Sequence, residues 1–297
     1  MDAVTGIFIL NKEEGLTSQS AVNRVKRLFG AEKAGHTGTL DPMATGVLPV
    51  LLGRAVKASE FMLSSDKHYR ATLRLGMTTD TEDTTGEVLS RADTLPTAEE
   101  VFAAADAFRG EILQTPPRYS ALKQNGKKLV DLARAGITVE REPRQITVRR
   151  LTLRQLSPSD YEMDVVCSKG TYIRTLCADI GASLGVGGVM ASLCRTEAAG
   201  FSLSDAHTLK EAEALSDEGR RALLFPVERV FLSLPKVTLP PFFARLARNG
   251  APIYQKKIGV SLPEKSRVRL SDGDGFFAVA ESREAADGMA YCLLKLF

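Results

Sequence analysis

The sequence predicts an α+β fold: a mixed, mostly antiparallel sheet with helices, followed by a small C-terminal β-barrel module. Three observations carry that expectation. Strand-like runs outnumber helix-like runs; the two do not alternate one for one, as a doubly wound parallel sheet requires; and beyond Phe225-Pro226 the pattern shortens into brief apolar runs around an Asp-Gly turn. The 297 residues suffice for about two domains. The change of texture puts the boundary near Leu232, giving segments 1–231 and 232–297.

Taken in order, "GIFILNK" is expected to be a buried strand because its apolar residues run almost unbroken. "SQSAVNRVKRLFG" follows as a helix with Thr17 or Ser18 as N-cap, Gly30 just past its end, and Ala21, Val22, Val25 and Phe29 facing the core. "GVLPVLLG" reads as a short apolar strand whose Pro49, lacking an N–H, argues for an edge or bulge position. "HYRATLRLG" alternates cleanly, with Tyr69, Ala71, Leu73 and Leu75 on one face and Arg70, Thr72 and Arg74 on the other. "TAEEVFAAADAFRG" opens with a capping box of Thr97 and Glu100 and continues as a helix. "QITVRRLTLRQL" and "YEMDVVCS" are further strands. "TYIRTLCADIGASLG" is a helix with Ile173, Leu176, Cys177, Ile180 and Leu184 at helical spacing; Gly185, Gly187 and Gly188 end it before a strand through Leu193. Beyond the boundary, "LPKVTL", "IGVSL", "RVRLSDGDGFFAVAES" and "GMAYCLLKLF" read as short strands.

Hydrophobic residues at 44% and charged residues at 25% indicate a folded globular chain. No apolar run approaches the roughly 20 residues needed to cross a bilayer, and "MDAVTGIFILNK" lacks a leader pattern, so a cytoplasmic protein without membrane contact is expected. Cys167, Cys177, Cys194 and Cys292 lie far apart without zinc-ligand spacing; they are expected to be reduced, mostly core thiols, with no metal. The net charge of +3 is too small to announce a nucleic-acid partner. Its distribution says more: Arg24, Lys26, Arg27 and Lys33 form one basic cluster, Lys123, Lys127 and Lys128 a second, and Arg141, Arg144, Arg149, Arg150 and Arg154 a third. Each cluster by itself suits a solvated face as well as a phosphate track.

Several chemistries are excluded by pattern. "QNGKKL" lacks the first glycine and the final Ser or Thr of a phosphate-binding loop, no G-x-G-x-x-G follows a strand, no G-x-S-x-G elbow occurs, and "DTEDTTGE" fails EF-hand spacing. "GHTGTLDPMATGVLPV" is the remaining oddity. Pro42 biases Asp41 toward extended backbone and the glycines permit close approach, the geometry of a presented nucleophile or base; read alone, the segment better suits a turn capped by Asp41 and Thr39. "SKGTYIRTL" adds Tyr172 and Arg174 at a strand-to-helix junction, where an arginine can pair with a carboxylate and a ring can stack on a planar ligand. Tyr69, at the start of its strand, is a third candidate.

Together, "GHTGTLDPMATGVLPV", "DKHYRATLRLGMTTDTEDTTGE", "QTPPRYSALKQNGKKL" and "CSKGTYIRTLCADIGASLGVGG" closely resemble the bacterial tRNA pseudouridine-55 synthases of the TruB family, in register from roughly Gly6 to Phe201. The resemblance implies a pseudouridine-synthase catalytic domain and a PUA-like RNA-binding module, the latter on a weaker match. It implies a cofactor-free isomerase that breaks the N1–C1′ bond of the T-loop uridine in tRNA, turns the uracil and joins C5 to C1′, with an accessory RNA-folding role. Asp41 takes the position of the family's essential aspartate and Arg174 that of the arginine pairing with it. His36 falls at the histidine that enters the RNA loop, Tyr69 at the tyrosine stacking on the uracil, Tyr172 at a second pocket tyrosine, and Leu193 at an apolar pocket position. The T stem-loop of tRNA is the implied partner; no protein partner is required, and a monomer is expected.

Physical chemistry agrees with these roles. A stacked base cannot be reached at C1′ or C5, so it must be flipped at a cost of a few kcal/mol, which stacking on Tyr69 and filling by His36 offset. Asp41 must be ionised to attack or stabilise C1′, or to take a ribose proton, and Arg174 is expected to hold it charged in an apolar pocket. Beside such a pocket a phosphate track becomes the better reading for Lys33, Lys123, Lys127 and the Arg141 to Arg154 stretch. The sequence departs from the family pattern at Asn11 and Glu13 around Lys12, at Val130, and at Ala199, which concerns local loop shape.

Overall fold

A computed structural model describes residues 4–120, 122–124, 126–137 and 139–297; the side chains of Lys123, Gln124 and Lys128 lie outside that description. In chain order the first strands are β1 (Gly6–Lys12), β2 (Ala34–His36), β3 (Thr45–Leu52), β4 (Lys67–Leu75), β5 (Met77–Thr79), β6 (Val88–Arg91) and β7 (Gly110–Gln114). There follow β8 (Lys123–Gln124), β9 (Lys127–Lys128), β10 (Arg144–Gln155), β11 (Asp160–Cys167), β12 (Gly188–Ala198) and β13 (Phe201–Ser202).

The main sheet runs β1-β3-β12-β4-β11-β10-β7, with β2 on β3 and β13 on β12. Its pairings are antiparallel apart from the parallel contact of β12 with β3, so the expected mixed, mostly antiparallel α+β sheet is present. The alternation of "HYRATLRLG" places Tyr69, Ala71, Leu73 and Leu75 on the buried face of β4. On that face pack the helices Ser18–Leu28, Ala98–Asp106 and Ile173–Ser183, through Ala21, Val22 and Val25, Val101 and Ala105, and Ile173, Leu176, Cys177 and Ile180. The Thr97–Glu100 capping box is formed. Cys167 and Cys177 are buried, as expected of core thiols, and burial pushes the Cys167 thiol up to about 11.

Pro49 corrects one expectation: β3 is a central strand, flanked by β1 on one side and by β12 and β2 on the other. Gly53 N–H donates to Lys33 O and Val47 O accepts from Arg195, so the odd-numbered backbone groups of this strand point to the second side. There β12 pairs only at Thr45 and Gly46 and β2 only from Val50 to Leu52. Pro49 therefore sits in the gap between two partners, where no ladder donor is required.

The basic stretch from Arg141 to Arg154 is also reweighed. Arg149 pairs with Asp66, Arg150 with Asp164 and Arg154 with Glu162, so on the solvent face of the sheet these guanidinium groups are matched by carboxylates and are weak candidates for a phosphate track. Arg141 donates to Pro116 O.

The C-terminal part holds β14 (Lys236–Thr238), β15 (Ile253–Tyr254), β16 (Arg267–Asp272), β17 (Gly275–Ala285) and β18 (Gly288–Leu296), in the sheet order β14-β16-β17-β18-β15. "IGVSL" is not a strand: Ile258 ends the one-turn helix Gln255–Ile258, and Gly259, at φ 69°, terminates it in the left-handed conformation. Helix Pro241–Arg248, unread in the sequence, covers this sheet's core with Ala244 and Ala247. Phe231 contacts Phe61 in a T-shaped arrangement at 5.1 Å and Phe276 and Phe297 at 5.7 and 5.4 Å, which joins the two sheets through one apolar cluster.

One close approach fixes the junction of β3 and β12. Gly46 has φ 98°, and a Cβ there would lie 2.3 Å from Arg195 O. Gly46→Ala is expected to destabilise the chain by on the order of 3 kcal/mol or more, read as a lower midpoint in denaturant with unchanged slope.

Candidate active site

Asp41 lies between two grips on its own backbone. Thr17 is the N-cap of helix Ser18–Leu28, its hydroxyl accepting from Ser20 N–H at 3.1 Å. That leaves the buried Ser18 side chain free to turn inward, where it accepts from Leu40 N–H at 2.8 Å and donates to Leu40 O at 2.9 Å. On the other side of Asp41, Lys12 donates to Glu13 O at 2.9 Å, Leu16 O at 2.8 Å and Pro42 O at 3.1 Å, and Gly15 N–H also reaches Pro42 O. Lys12, whose role the altered flanking residues put in doubt, is thus a buried anchor of the loop, and removal from water lowers its pKa to about 8.

The turn itself is closed by backbone, since Ala44 N–H donates to Asp41 O at 3.0 Å across Pro42 and Met43. The Asp41 carboxylate is therefore free for other work. Arg174 reaches it with Nε at 2.9 Å from Oδ2 and with a terminal nitrogen at 3.3 Å from Oδ1, a two-point contact. The same guanidinium also donates to Thr81 O at 3.0 Å and Tyr119 O at 2.9 Å. Arg174 is only 5% exposed, near the start of helix Ile173–Ser183. The first turn of that helix is held by Gln114, whose amide accepts from Tyr172 N–H at 2.8 Å and donates to Tyr172 O at 3.0 Å.

A second carboxylate, Asp83, lies 3.9 Å from Arg174 Nε and is buried. Thr81 Oγ1, Thr85 N–H and Thr85 Oγ1 all donate to its Oδ1. Sequence reading missed Asp83 by testing "DTEDTTGE" only as a calcium loop; the Asp-x-Thr spacing of an Asx turn was the available signal. Burial pushes the Asp41 carboxyl above the ordinary aspartate range, Arg174 pulls it back down, Asp83 pushes it up again, and Lys12 gives a smaller downward pull.

The other predicted residues converge on this pocket to different degrees. Tyr69 is buried on β4 within electrostatic reach of Asp41, and Tyr172, the N-cap residue of its helix, within reach of both Asp41 and Arg174; burial raises both phenols. Leu193 is buried on β12 in the same apolar cluster as Tyr69. His36 is half-buried on β2 with no partner for Nδ1, and burial lowers its pKa, which favours a neutral ring. Ser18, Gln114 and Arg195 were not read as site residues, because their partners are backbone groups 22, 58 and 148 or more positions away. Among the described residues no cluster of His, Cys, Asp and Glu could hold a metal ion.

The arrangement is a half-buried carboxylate paired at two points with one buried arginine, with two tyrosines within electrostatic reach of it. Comparisons with known proteins meet it from another direction. Residues 26–173 match the model of the TruB family pseudouridylate synthase N-terminal domain, and residues 174–232 that of the tRNA pseudouridylate synthase B C-terminal domain. The chain is 44% identical over 283 residues to tRNA pseudouridine synthase B of Thiobacillus denitrificans, spanning 95% of this chain and 93% of that protein. It is 47% identical over 281 residues to tRNA pseudouridine synthase B of Chromobacterium violaceum, spanning 94% and 91%. In fold it is similar to a chain of a Cbf5-Nop10-Gar1 complex, with TM-score 0.72 and 26% identity over 98% of this chain and 84% of that one. With two adjoining family segments and near-complete coverage by these relatives, the chain belongs to the TruB family of pseudouridylate synthases.

Proposed function

We propose that the chain isomerises the uridine at position 55, in the T loop of tRNA, to pseudouridine, with Asp41 as the catalytic carboxylate. The observation that carries this reading is the two-point contact of Arg174 with Asp41, with Tyr69 and Tyr172 within electrostatic reach of the carboxylate. A pure RNA grip has little use for a negative charge aimed at its ligand, whereas cleavage of a glycosidic bond does.

The flipped uracil stacks on Tyr69, and His36 fills the vacancy in the RNA loop. Tyr172 and Leu193 close the apolar walls. Ionised Asp41 acts on the ribose, either at C1′ or by taking a proton from the sugar. The N1–C1′ bond breaks with its electron pair going to the base; the base turns, C5 bonds to C1′ as Asp41 is released from C1′ or returns its proton to the sugar, the C5 proton leaves to water, and N1 takes up a proton. Arg174 keeps Asp41 charged and oriented throughout. No cofactor enters these steps. Residues 1–231 act as the catalytic domain and residues 232–297 as a PUA-like module that extends the RNA contact, in a monomer that needs no protein partner and works in the cytoplasm. Lys33 and Lys127, both exposed, are the cations best suited to the phosphates.

Release of tritium from C5-labelled uridine in unmodified tRNA tests the reading. Native protein is expected to release one equivalent, and Asp41→Asn to be slower by at least about a thousandfold. Preference for another hairpin over the T stem-loop overturns the assigned target. Arg174→Met is expected to lose turnover on the order of a hundredfold while tRNA affinity changes by less than about threefold; an affinity loss as large as the rate loss makes Arg174 a phosphate contact.

Two pH limbs follow from the geometry. Asp41 works ionised, and its folded-state pKa is raised, so the rate falls as pH drops through a value above the ordinary aspartate range. Arg174→Met removes the main opposing influence and moves that limb to still higher pH. Lys12 uses all three ammonium donors on backbone carbonyls. Deprotonation near its pKa of about 8 removes one of them, so the native rate is expected to decline above that pH. In Lys12→Met the rate is lower throughout and that limb is absent.

A further inference from the structure

Arg195 is the largest of the fully buried side chains, at 1% exposure, yet among the described residues no carboxylate forms an ion pair with it. Its Nε donates to Val47 O at 2.7 Å and one terminal nitrogen to Gly38 O at 3.2 Å. Two carbonyls are modest compensation for burying a guanidinium, and an apolar side chain of similar volume often serves stability as well or better. A packing role therefore leaves the charge unexplained.

Its position supplies an explanation. Arg195 is the cross-strand partner of Tyr69 on β4 and of Gly46 on β3, and it shares the buried face of β12 with Leu193. Through Gly38 O it holds the loop that leads to Asp41; it is also within electrostatic reach of the Tyr69 phenol, whose pKa burial raises and Arg195 pulls part of the way back. Within electrostatic reach of it stand Lys12 and Lys67, and His36, whose burial favours the neutral ring; the acidic groups near Tyr69 are Asp41 and the Cys167 thiol. During the proposed reaction the uracil is neutral before the N1–C1′ bond breaks and negative from then until C5 bonds to C1′. A cation fixed behind the stacking ring favours the second condition over the first.

We propose that Arg195 is a positioning residue that couples the Asp41 loop to the Tyr69 ring and supplies the buried positive charge facing the detached base. This rests on the roles given above to Asp41 and Tyr69. Because the charge matters only after the bond breaks, its removal slows chemistry without loosening RNA. It does not touch the substrate and acts through Tyr69.

The test compares native protein, Arg195→Gln, Arg195→Lys and Arg195→Met, all as the full chain, in single-turnover tritium release at saturating enzyme, with tRNA affinity and melting temperature measured alongside. Gln retains a donor for Val47 O but no charge; Lys retains the charge with different donors; Met retains volume alone. Arg195→Gln and Arg195→Met are expected to be slower on the order of a hundredfold with affinity within about threefold of native, and Arg195→Lys to recover at least about tenfold of that loss. Equal rates for Lys and Gln, or an affinity loss equal to the rate loss, overturn the proposal. If one neutral variant fails to fold, the other is compared with Lys. Asp41→Asn is run in parallel: native rate in Arg195→Gln with an inactive Asp41→Asn removes the role of Arg195 alone, whereas an active Asp41→Asn removes the reading of the site on which it rests.

Discussion

The pairing of a half-buried aspartate, Asp41, with a buried arginine, Arg174, is the interaction on which this site depends. Away from water an aspartate tends to keep its proton, and a fixed positive charge opposes that tendency. Arg174 supplies it from the first turn of helix Ile173–Ser183, in a two-point contact that sets direction as well as charge. The balance is not one-sided, because Asp83, 3.9 Å from the same Arg174 Nε, pushes Asp41 back toward protonation. Asp83 also gives Arg174 a second acidic neighbour, which makes the arginine's own burial tolerable. The carboxyl is thereby left with a raised pKa but paired.

Holding that pair requires the loop to be rigid on a scale finer than a turn alone provides. Ser18 grips Leu40 and Lys12 grips Pro42, so the residues on either side of Asp41 are fixed by side chains from different elements. Arg195 fixes the loop further back, at Gly38, and its own backbone presses on Gly46 so closely that no side chain fits. These anchors are polar because loop carbonyls and N–H groups, removed from water, must be satisfied. Two of the three anchors are cations, so the precision of the loop rests on charges held away from water.

How much of this was legible depends on the range of the interaction. The alternation of "HYRATLRLG", the Thr97–Glu100 capping box and the helical spacing from Ile173 to Ile180 are local patterns, and each was read correctly. Asp41, Arg174, Tyr69 and Tyr172 were found as residue types suited to chemistry, and the fold brings them together. Pro49 was misplaced because β3 meets two different strands on one side, which no single-strand pattern encodes. "IGVSL" was misread because five mostly apolar residues suit a strand and a terminated helical turn equally. Ser18 passed as a second-choice N-cap, and Arg195 was passed over altogether between the apolar residues of its strand; both act on backbone distant in sequence.

The distribution of charge separates two uses of arginine that composition cannot distinguish. Arg149, Arg150 and Arg154 sit on the solvent face with carboxylates beside them, and such pairs contribute little in water. Arg174 and Arg195 are buried, where a charge is costly unless a structure needs it. A net charge of +3 therefore says little about the site, where the buried cations Lys12, Arg174 and Arg195 stand near the acidic Asp41, Glu82 and Asp83. Charges so placed are screened less than those on the surface and act at short range, so their effect is decided by which groups each one touches and not by their number.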